Sequence, residues 1–298
     1  MEKQKVINKT MDFDDLKSNK AQTISNELNA LIKTLRANNL KISSWYGEFD
    51  LTGDPDTFDM INRGFGYKSI KGSVDDINFP WFLYWEIIWV VLNNNFSNKH
   101  SVLDLGGSSS LFSYYLASKG VNIITTDLQK DLVDNANIVA KQMGWNLKNY
   151  VMDMRELNFD SRFDHITSIC VFEHIPMYER VAINKKIKDL LVEGGKFSIT
   201  FDYRNPHGSA KINSPKNVYE QFVKSSGLKV RCNDNFSDTG KNYMLQPFYS
   251  RTFNKKRRLW IWKYKIISIL KRDYKLREFF KFKDINDYTF GALFLENN

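Results

Sequence analysis

From residue 101 onward the hydrophobic positions switch repeatedly between two periods. Short β-branched runs alternate with stretches in which apolar residues recur three and four apart, the spacings of a strand and of a helix. Ser101–Asp104 is the first run, turned by Gly106 and Gly107. Leu111–Lys119 is helical and is stopped by Gly120. Asn122–Thr126 is a second run that ends on Asp127. The alternation continues with a helix over Asp131–Met143 to Gly144, a strand Asn149–Asp153, and a strand Phe163–Cys170 apolar enough for a central parallel position. A helix Tyr178–Leu190, a Glu-Gly-Gly turn at 193–195 and a strand Lys196–Asp202 follow. Asn213–Ser226 is a further helix, with Ser214 as its cap and Pro215 in its first turn. Leu228–Asn233 and Tyr288–Leu295 are the last strands. The order predicts an α/β protein: a seven-stranded, mostly parallel, doubly wound sheet with a late antiparallel hairpin.

The first hundred residues are patterned differently. Ile24, Leu28, Leu31, Ile32 and Leu35 mark the packing face of a helix over roughly Asp12–Leu40. Residues 43–80 are rich in Gly, Asp and aromatics, and TGDPD is a turn signal, so a loop-like segment that packs over something is expected. Trp81–Leu92, WFLYWEIIWVVL, is the most apolar run. It is about half the length of a membrane span, and Glu86 interrupts it, so a core helix is expected. These features divide the chain into an N-terminal helical cap, 1–95, and a domain over 96–298 that carries an insertion at 237–285 before the last strand.

Composition adds three points. A hydrophobic content of 42% in 298 residues supports a sizeable core. Two cysteines, Cys170 and Cys232, make neither a disulfide framework nor a zinc pattern, and the start of the chain has no apolar signal core; both favour the cytoplasm. The net charge of +9 is local. Residues 251–285 hold 13 Lys or Arg against three acids, or +10, so the other 263 residues sum to −1. Within that segment Leu259, Trp262, Ile266, Ile269 and Leu270 recur at helical spacing, the pattern of a basic amphipathic helix suited to an anionic membrane surface, and the protein is then expected at the inner face of the membrane. The same pattern also suits a helix packed on the sheet edge, RNA, or an anionic glycan.

A crossover helix makes the first two strands parallel neighbours, so the glycine turn and Asp127 fall on one carboxyl edge, where α/β ligands bind. Dinucleotides and S-adenosylmethionine both use this layout. The turn Gly106-Gly107-Ser108-Ser109-Ser110-Leu111 lacks the second and third glycines of a dinucleotide fingerprint. Asp104 before it suits a cationic ligand better than a phosphate.

VLDLGGSSS, the acids at 127 and 153, ICVFEHIP and LLVEGGKFSITF stand in the order and spacing of the motifs of class I S-adenosylmethionine-dependent methyltransferases, and the chain resembles that family over about 101–236 and 286–298. The resemblance implies a Rossmann-like fold with S-adenosyl-L-methionine as cofactor. It implies that Asp104, Gly106, Gly107 and Ser108 form the cofactor turn, with Ser108 in place of the usual glycine. It further implies that Asp127, next to Leu128, holds the ribose diol, that Asp153, next to Met154, accepts from the adenine amine, and that Val171 lines the site.

For a hydroxyl acceptor a base is needed, and histidine is the usual one. His174 lies just past the fourth strand, where the resemblance places the acceptor beside the methyl group; it is the candidate base, with Glu173 to orient it. Tyr203 and His207, after the fifth strand, are secondary candidates. His100 is expected on the surface and His165 inside its strand. No spaced cluster of His and carboxylates is visible, so no metal is expected. The absence of an Asn/Asp-Pro-Pro-aromatic motif after the fourth strand, and a Cys170 that lies within it, argue against a nucleic-acid base. A loose resemblance to members that act in glycan and natural-product biosynthesis points to a sugar or other small-molecule hydroxyl, with the 1–95 cap on the acceptor side. The alternatives are methylation of RNA or protein with the basic insert as a binding arm, and a non-catalytic relative.

Overall fold

In the computed structural model, residues 8–43, 81–205, 212–233, 235–241, 243–244 and 287–298 are described. Residues 44–80 of the loop expected over 43–80, the basic amphipathic segment 251–285 and His207 lie outside the described residues.

The elements follow the periodicity closely. Strand β1 is Lys9–Thr10, helix α1 is Asn19–Ala37 and helix α2 is Trp81–Leu92. Then come β2 (Ser101–Leu105), α3 (Leu111–Ser118), β3 (Asn122–Asp127), α4 (Lys130–Met143) and β4 (Leu147–Val151). The second half has β5 (Phe163–Ile169), α5 (Met177–Leu190), β6 (Leu191–Tyr203), α6 (Pro215–Val218), β7 (Lys229–Val230), β8 (Tyr243–Met244) and β9 (Asp287–Glu296).

The main sheet runs in the order β1-β9-β6-β5-β2-β3-β4. The ladders β2·β3, β2·β5, β3·β4 and β5·β6 are parallel; β9 is antiparallel to β6, β7, β8 and β1. The sheet is therefore mostly parallel with one late antiparallel strand, as expected. The order reverses beside β2, which is where an open α/β sheet leaves its binding crevice.

Helices pack on both faces. On one, α1, α2 and α3 share a core with β9 and the face of β2 and β3; Ile24, Leu28, Leu31, Ile32 and Leu35 of α1 are all buried in it. The α3 sequence LFSYYLAS is buried on nearly every side, so its lack of amphipathicity reflects a helix enclosed between the sheet and α1. On the other face, Ile183, Ile187 and Leu190 of α5 meet Phe197, Ile199 and Phe201 of β6 and Phe222.

Several expected boundaries shift. The N-terminal helix is two pieces, a short 3-10 turn Phe13–Lys17 and then α1, because Ser18 caps α1 by accepting from the Ala21 N–H. The third strand lies two residues earlier than 149–153, and Asp153 caps the 3-10 turn Met154–Glu156 beyond it. The Glu-Gly-Gly segment does not precede the fifth strand but lies inside it: β6 starts at Leu191, and its register with β5 jumps from Phe163↔Leu191 to His165↔Lys196. The expected helix over 213–226 begins at Pro215, capped by Ser214, and widens to a π-helix over Tyr219–Lys224. The expected strand 228–233 ends after two residues, where Cys232 takes a left-handed conformation. Strands β1 and β8 are too short to carry a periodic signal.

Candidate functional site

The turn after β2 is built around one buried carboxylate. Asp104 is 1% exposed. Its Oδ2 accepts from the Ser113 hydroxyl at 2.6 Å and its Oδ1 from Thr167 at 2.8 Å. Burial pushes this carboxyl up to about 6, with the two hydroxyls pulling the other way. The turn folds closely over it: a Cβ on Gly107 would lie 1.7 Å from Asp104 Oδ2. Gly106 has φ +76°, a Cβ there would lie 2.6 Å from Val171 Cγ1, and its N–H donates to Thr126 O at 2.7 Å. Glycine is thus required twice, once by backbone conformation and once by the acid beneath.

The three serines have separate tasks. Ser108 is 2.7 Å from the Thr125 hydroxyl, and Thr125 donates to Asn149 Oδ1 at 2.6 Å. Thr125 spends its one hydrogen on Asn149, so Ser108 is the donor. The side chain standing in the usual glycine position is therefore turned toward the sheet and leaves the backbone to face a ligand. Ser109, at φ 60°, donates to Leu132 O and accepts from Tyr114 and Asn135, which ties the turn to α3 and α4. Its carbonyl accepts from the Ser43 N–H at 2.7 Å. Ser110 caps α3 by accepting from the Ser113 N–H.

Asp127 ends β3 on the same edge. Its Oδ1 accepts from the Gln129 N–H at 2.9 Å; burial raises the carboxyl, offset by the N–H groups of Gln129 and Leu128. The Leu128 side chain, 67% exposed, lies on the surface beside it. Asp153 lies past β4, and there the expected ligand role meets competition. Both of its oxygens accept from the Arg155 side chain, at 2.9 Å from Nε, and this guanidinium holds the carboxyl below the usual range. Arg155 is largely exposed and also lies 3.5 Å from Glu179. Met154 is half-buried against the α5 side of the core.

Beyond β5 the chain makes a tight exit. Cys170 has φ 53°, with its N–H bonded to Thr200, and Val171 then packs over Gly106. A 3-10 turn, Phe172–His174, presents Glu173 inward and His174 outward. The buried Arg180 clamps this turn: it donates to Glu173 O at 2.6 Å and to Ile175 O at 2.8 Å. His174 is 66% exposed, and its Nε2 lies 4.0 Å from Glu173 Oε1. Burial, and then the negative charge of Asp202, push the Glu173 carboxyl up to about 8. The Asp202 N–H donates to Glu173 Oε1 at 3.4 Å.

Tyr203 does not join this group. Its hydroxyl donates to Asp238 at 2.9 Å, in a contact shared with Arg204, and burial, then that hydrogen bond, raises the phenol. His165 is a core residue as expected: its ring lies tilted against His100 at 5.0 Å and Phe96 at 4.7 Å between centroids, and burial lowers its pKa to about 3. His100, expected at the surface, is half-buried beside it.

A family profile described as "Methyltransferase domain" matches residues 102–195, from β2 to the start of β6. Residues 102–195 are similar to a methyltransferase domain. Over 108 residues the chain is 34% identical to ubiquinone biosynthesis O-methyltransferase of Coxiella burnetii, covering 36% of this chain and 45% of that protein. A solved S-adenosylmethionine-dependent methyltransferase from Clostridium acetobutylicum is 22% identical, covering 36% of this chain and 45% of its own, with a TM-score of 0.33. A magnesium protoporphyrin IX methyltransferase from Synechocystis, with bound SAM, is 13% identical, covering 71% and 76%, with a TM-score of 0.44. The chain spans about half the length of the curated relatives it matches.

The matched segment thus brings Asp104, Gly106, Gly107 and Ser108 together in one packed turn with Val171 against it. Asp127 and Leu128 stand at the next strand end, and Asp153 and Met154 follow one strand further out. What sequence reasoning missed is the floor beneath His174. Glu86 of α2, Cys170 and Asp202 come together there with Glu173. The lone acid in WFLYWEIIWVVL was the available signal: a carboxylate in a helix buried on all sides needs company. No local spacing could supply that company, because the four residues come from three separate stretches of chain.

Proposed function

We propose that the protein is an S-adenosyl-L-methionine-dependent methyltransferase that transfers the methyl group to a hydroxyl of a small molecule, a sugar or glycan precursor being the class the sequence favours. The observation that carries the cofactor assignment is the turn at 106–108. Its backbone is held open by an acid from below, and it shares one sheet edge with Asp127 at the end of the adjacent parallel strand. Two acceptor oxygens at that position suit a vicinal diol. A sulfonium methyl group is already activated, so much of the catalysis is placement of the acceptor atom near it.

In this reading His174 is the base. It is exposed toward the edge where an acceptor would arrive, and Glu173 beside it orients the ring. Tyr203, committed to Asp238, is left with a structural role. Asp153 contacts the adenine amine only after Arg155 swings away, and the exposure of Arg155 leaves it free to do so. Segment 1–95 covers the acceptor side, where Ser43 is already bonded to the turn through Ser109. The relatives' names as O-methyltransferases support oxygen as the receiving atom. No helix among the described residues is long and apolar enough to cross a membrane; contact of 251–285 with an anionic membrane surface stays part of this proposal. The test is a screen of fractionated glycans, lipids, RNA and proteins with methyl-labelled cofactor. Label in a small glycan or lipid-linked fraction supports the reading, and label in RNA or protein alone overturns the acceptor class.

A further inference from the structure

Of the four acidic and thiol side chains under His174, only Glu173 has a part in that scheme, and their arrangement calls for a ligand of its own. Cys170 Sγ and one carboxylate oxygen each of Glu173 and Asp202 lie within 4.8 Å of one another. The three arrive from different places: Cys170 from the left-handed exit of β5, Glu173 from the Arg180-clamped turn, and Asp202 from the end of β6. The fourth comes from the other face of the sheet. Glu86 is 0% exposed, and both of its oxygens are buried without a well-formed hydrogen bond. Its polar company is Thr200 and Cys170, and its charge is felt by Glu173, Asp202 and Cys170.

An unpaired carboxylate in such a place is costly unless something positive satisfies it. Among the described residues the cations nearby are spoken for or outside. Arg180 points its guanidinium at backbone carbonyls and Gln221, and His174 is on the surface.

We propose that Cys170, Glu173, Asp202 and Glu86 form a binding site for one divalent transition-metal ion of borderline softness, Zn²⁺ or a close analogue. One thiolate with carboxylates favours that class over Mg²⁺ or Ca²⁺, which take oxygen ligands alone. Zinc bonds of about 2.3 Å to sulfur and about 2.0 to 2.2 Å to oxygen place tetrahedral ligands about 3.5 Å apart. The 4.8 Å spread then has to contract by roughly 1 Å, a side-chain adjustment that leaves the backbone in place. Binding releases the thiol proton and any protons held by the acids. The ion would sit beneath Glu173 and fix the turn that carries His174. The site does not depend on the methyl-transfer reading, since it can be filled and detected without cofactor or acceptor.

Co²⁺ is the probe, added to the full chain after chelator treatment and dialysis. The expected result is one Co²⁺ retained per chain, a thiolate-to-cobalt charge-transfer band in the near ultraviolet, displacement by Zn²⁺, and a higher unfolding midpoint with metal than without. Cys170→Ser should lose the band, while Cys232→Ser, at the exposed second thiol, should keep it. Glu86→Gln should weaken Co²⁺ retention at least tenfold. If Cys170→Ser fails to fold, the wild-type band and its persistence in Cys232→Ser decide the matter alone. Substoichiometric retention, cobalt bound without a thiolate band, or a band lost only in Cys232→Ser overturns the proposal and leaves the acids sharing protons.

Discussion

Replacing Gly107 by alanine puts a methyl group where the Asp104 carboxylate lies, 1.7 Å from Oδ2. The carboxylate cannot step aside cheaply, because Ser113 and Thr167 hold one oxygen each at 2.6 and 2.8 Å. Moving it breaks both bonds. Hydrogen bonds to a charged group contribute about 1.5–3 kcal/mol each, so the substitution should cost about 3–6 kcal/mol, a large share of the roughly 5–15 kcal/mol that stabilises a typical domain. A double-mutant cycle isolates the cause. Asp104→Ala alone leaves two buried hydroxyls without their acceptor and is destabilising in its own right, but it also empties the space that the new methyl group at position 107 needs. The double variant should therefore be no less stable than Asp104→Ala, with a coupling of about 2 kcal/mol or more between the sites. Urea denaturation of the four proteins measures it. A Gly107→Ala protein within about 0.5 kcal/mol of wild type, or costs that simply add, would refute the packing argument and the claim that this acid shapes the turn.

Asp127→Ala should weaken S-adenosylmethionine binding at least tenfold with little loss of stability, because the side chain's bond is to an adjacent backbone N–H at a strand end; calorimetric titration alongside thermal unfolding checks both. His174→Ala should keep cofactor affinity and lower turnover by about 10²–10⁴-fold; full turnover would remove it as the base. Glu173 carries a pH prediction for chelator-treated protein. Its native value of about 8 lies above the ordinary 4.5, so the folded state holds a proton the unfolded state has lost. Stability from this group is fully present below about 4.5 and falls as pH rises toward 8, by at most about 1.4 kcal/mol per pH unit. Glu173→Gln should flatten that slope in denaturation midpoints measured from about pH 5 to 8, and an unchanged slope would assign it to other groups.

The parts of the fold legible in the sequence are those with a local cause. The β2–α3–β3 crossover could be placed nearly to the residue because glycines and a capping serine punctuate it, and α2 because its apolar run has sharp ends. The boundaries that moved were set by contacts from elsewhere. The Glu-Gly-Gly segment spells a turn, yet the neighbouring β5 draws it into β6 as an irregularity in the ladder. The strand expected over 228–233 stops after Val230, ahead of the left-handed Cys232, for no reason its neighbours in sequence reveal. Asp104 was legible as an acid before a glycine turn, but its locked position was not, since Thr167 reaches it from 63 residues further along the chain. Tyr203 seemed free to act because Asp238, its partner, lies 35 residues further on. Glu86 is visible only as an oddity in an apolar helix, because its partners Cys170, Glu173 and Asp202 lie 84 or more residues further along the chain.

Binding of S-adenosyl-L-methionine by the 106–108 turn and Asp127 together is measured by calorimetric titration of the full chain with that cofactor. Saturable binding at one site per chain is expected, shared by the demethylated product S-adenosylhomocysteine and at least tenfold weaker in Asp127→Ala. A folded wild-type protein that takes up neither ligand, or an Asp127→Ala protein that binds as tightly as wild type, would contradict it.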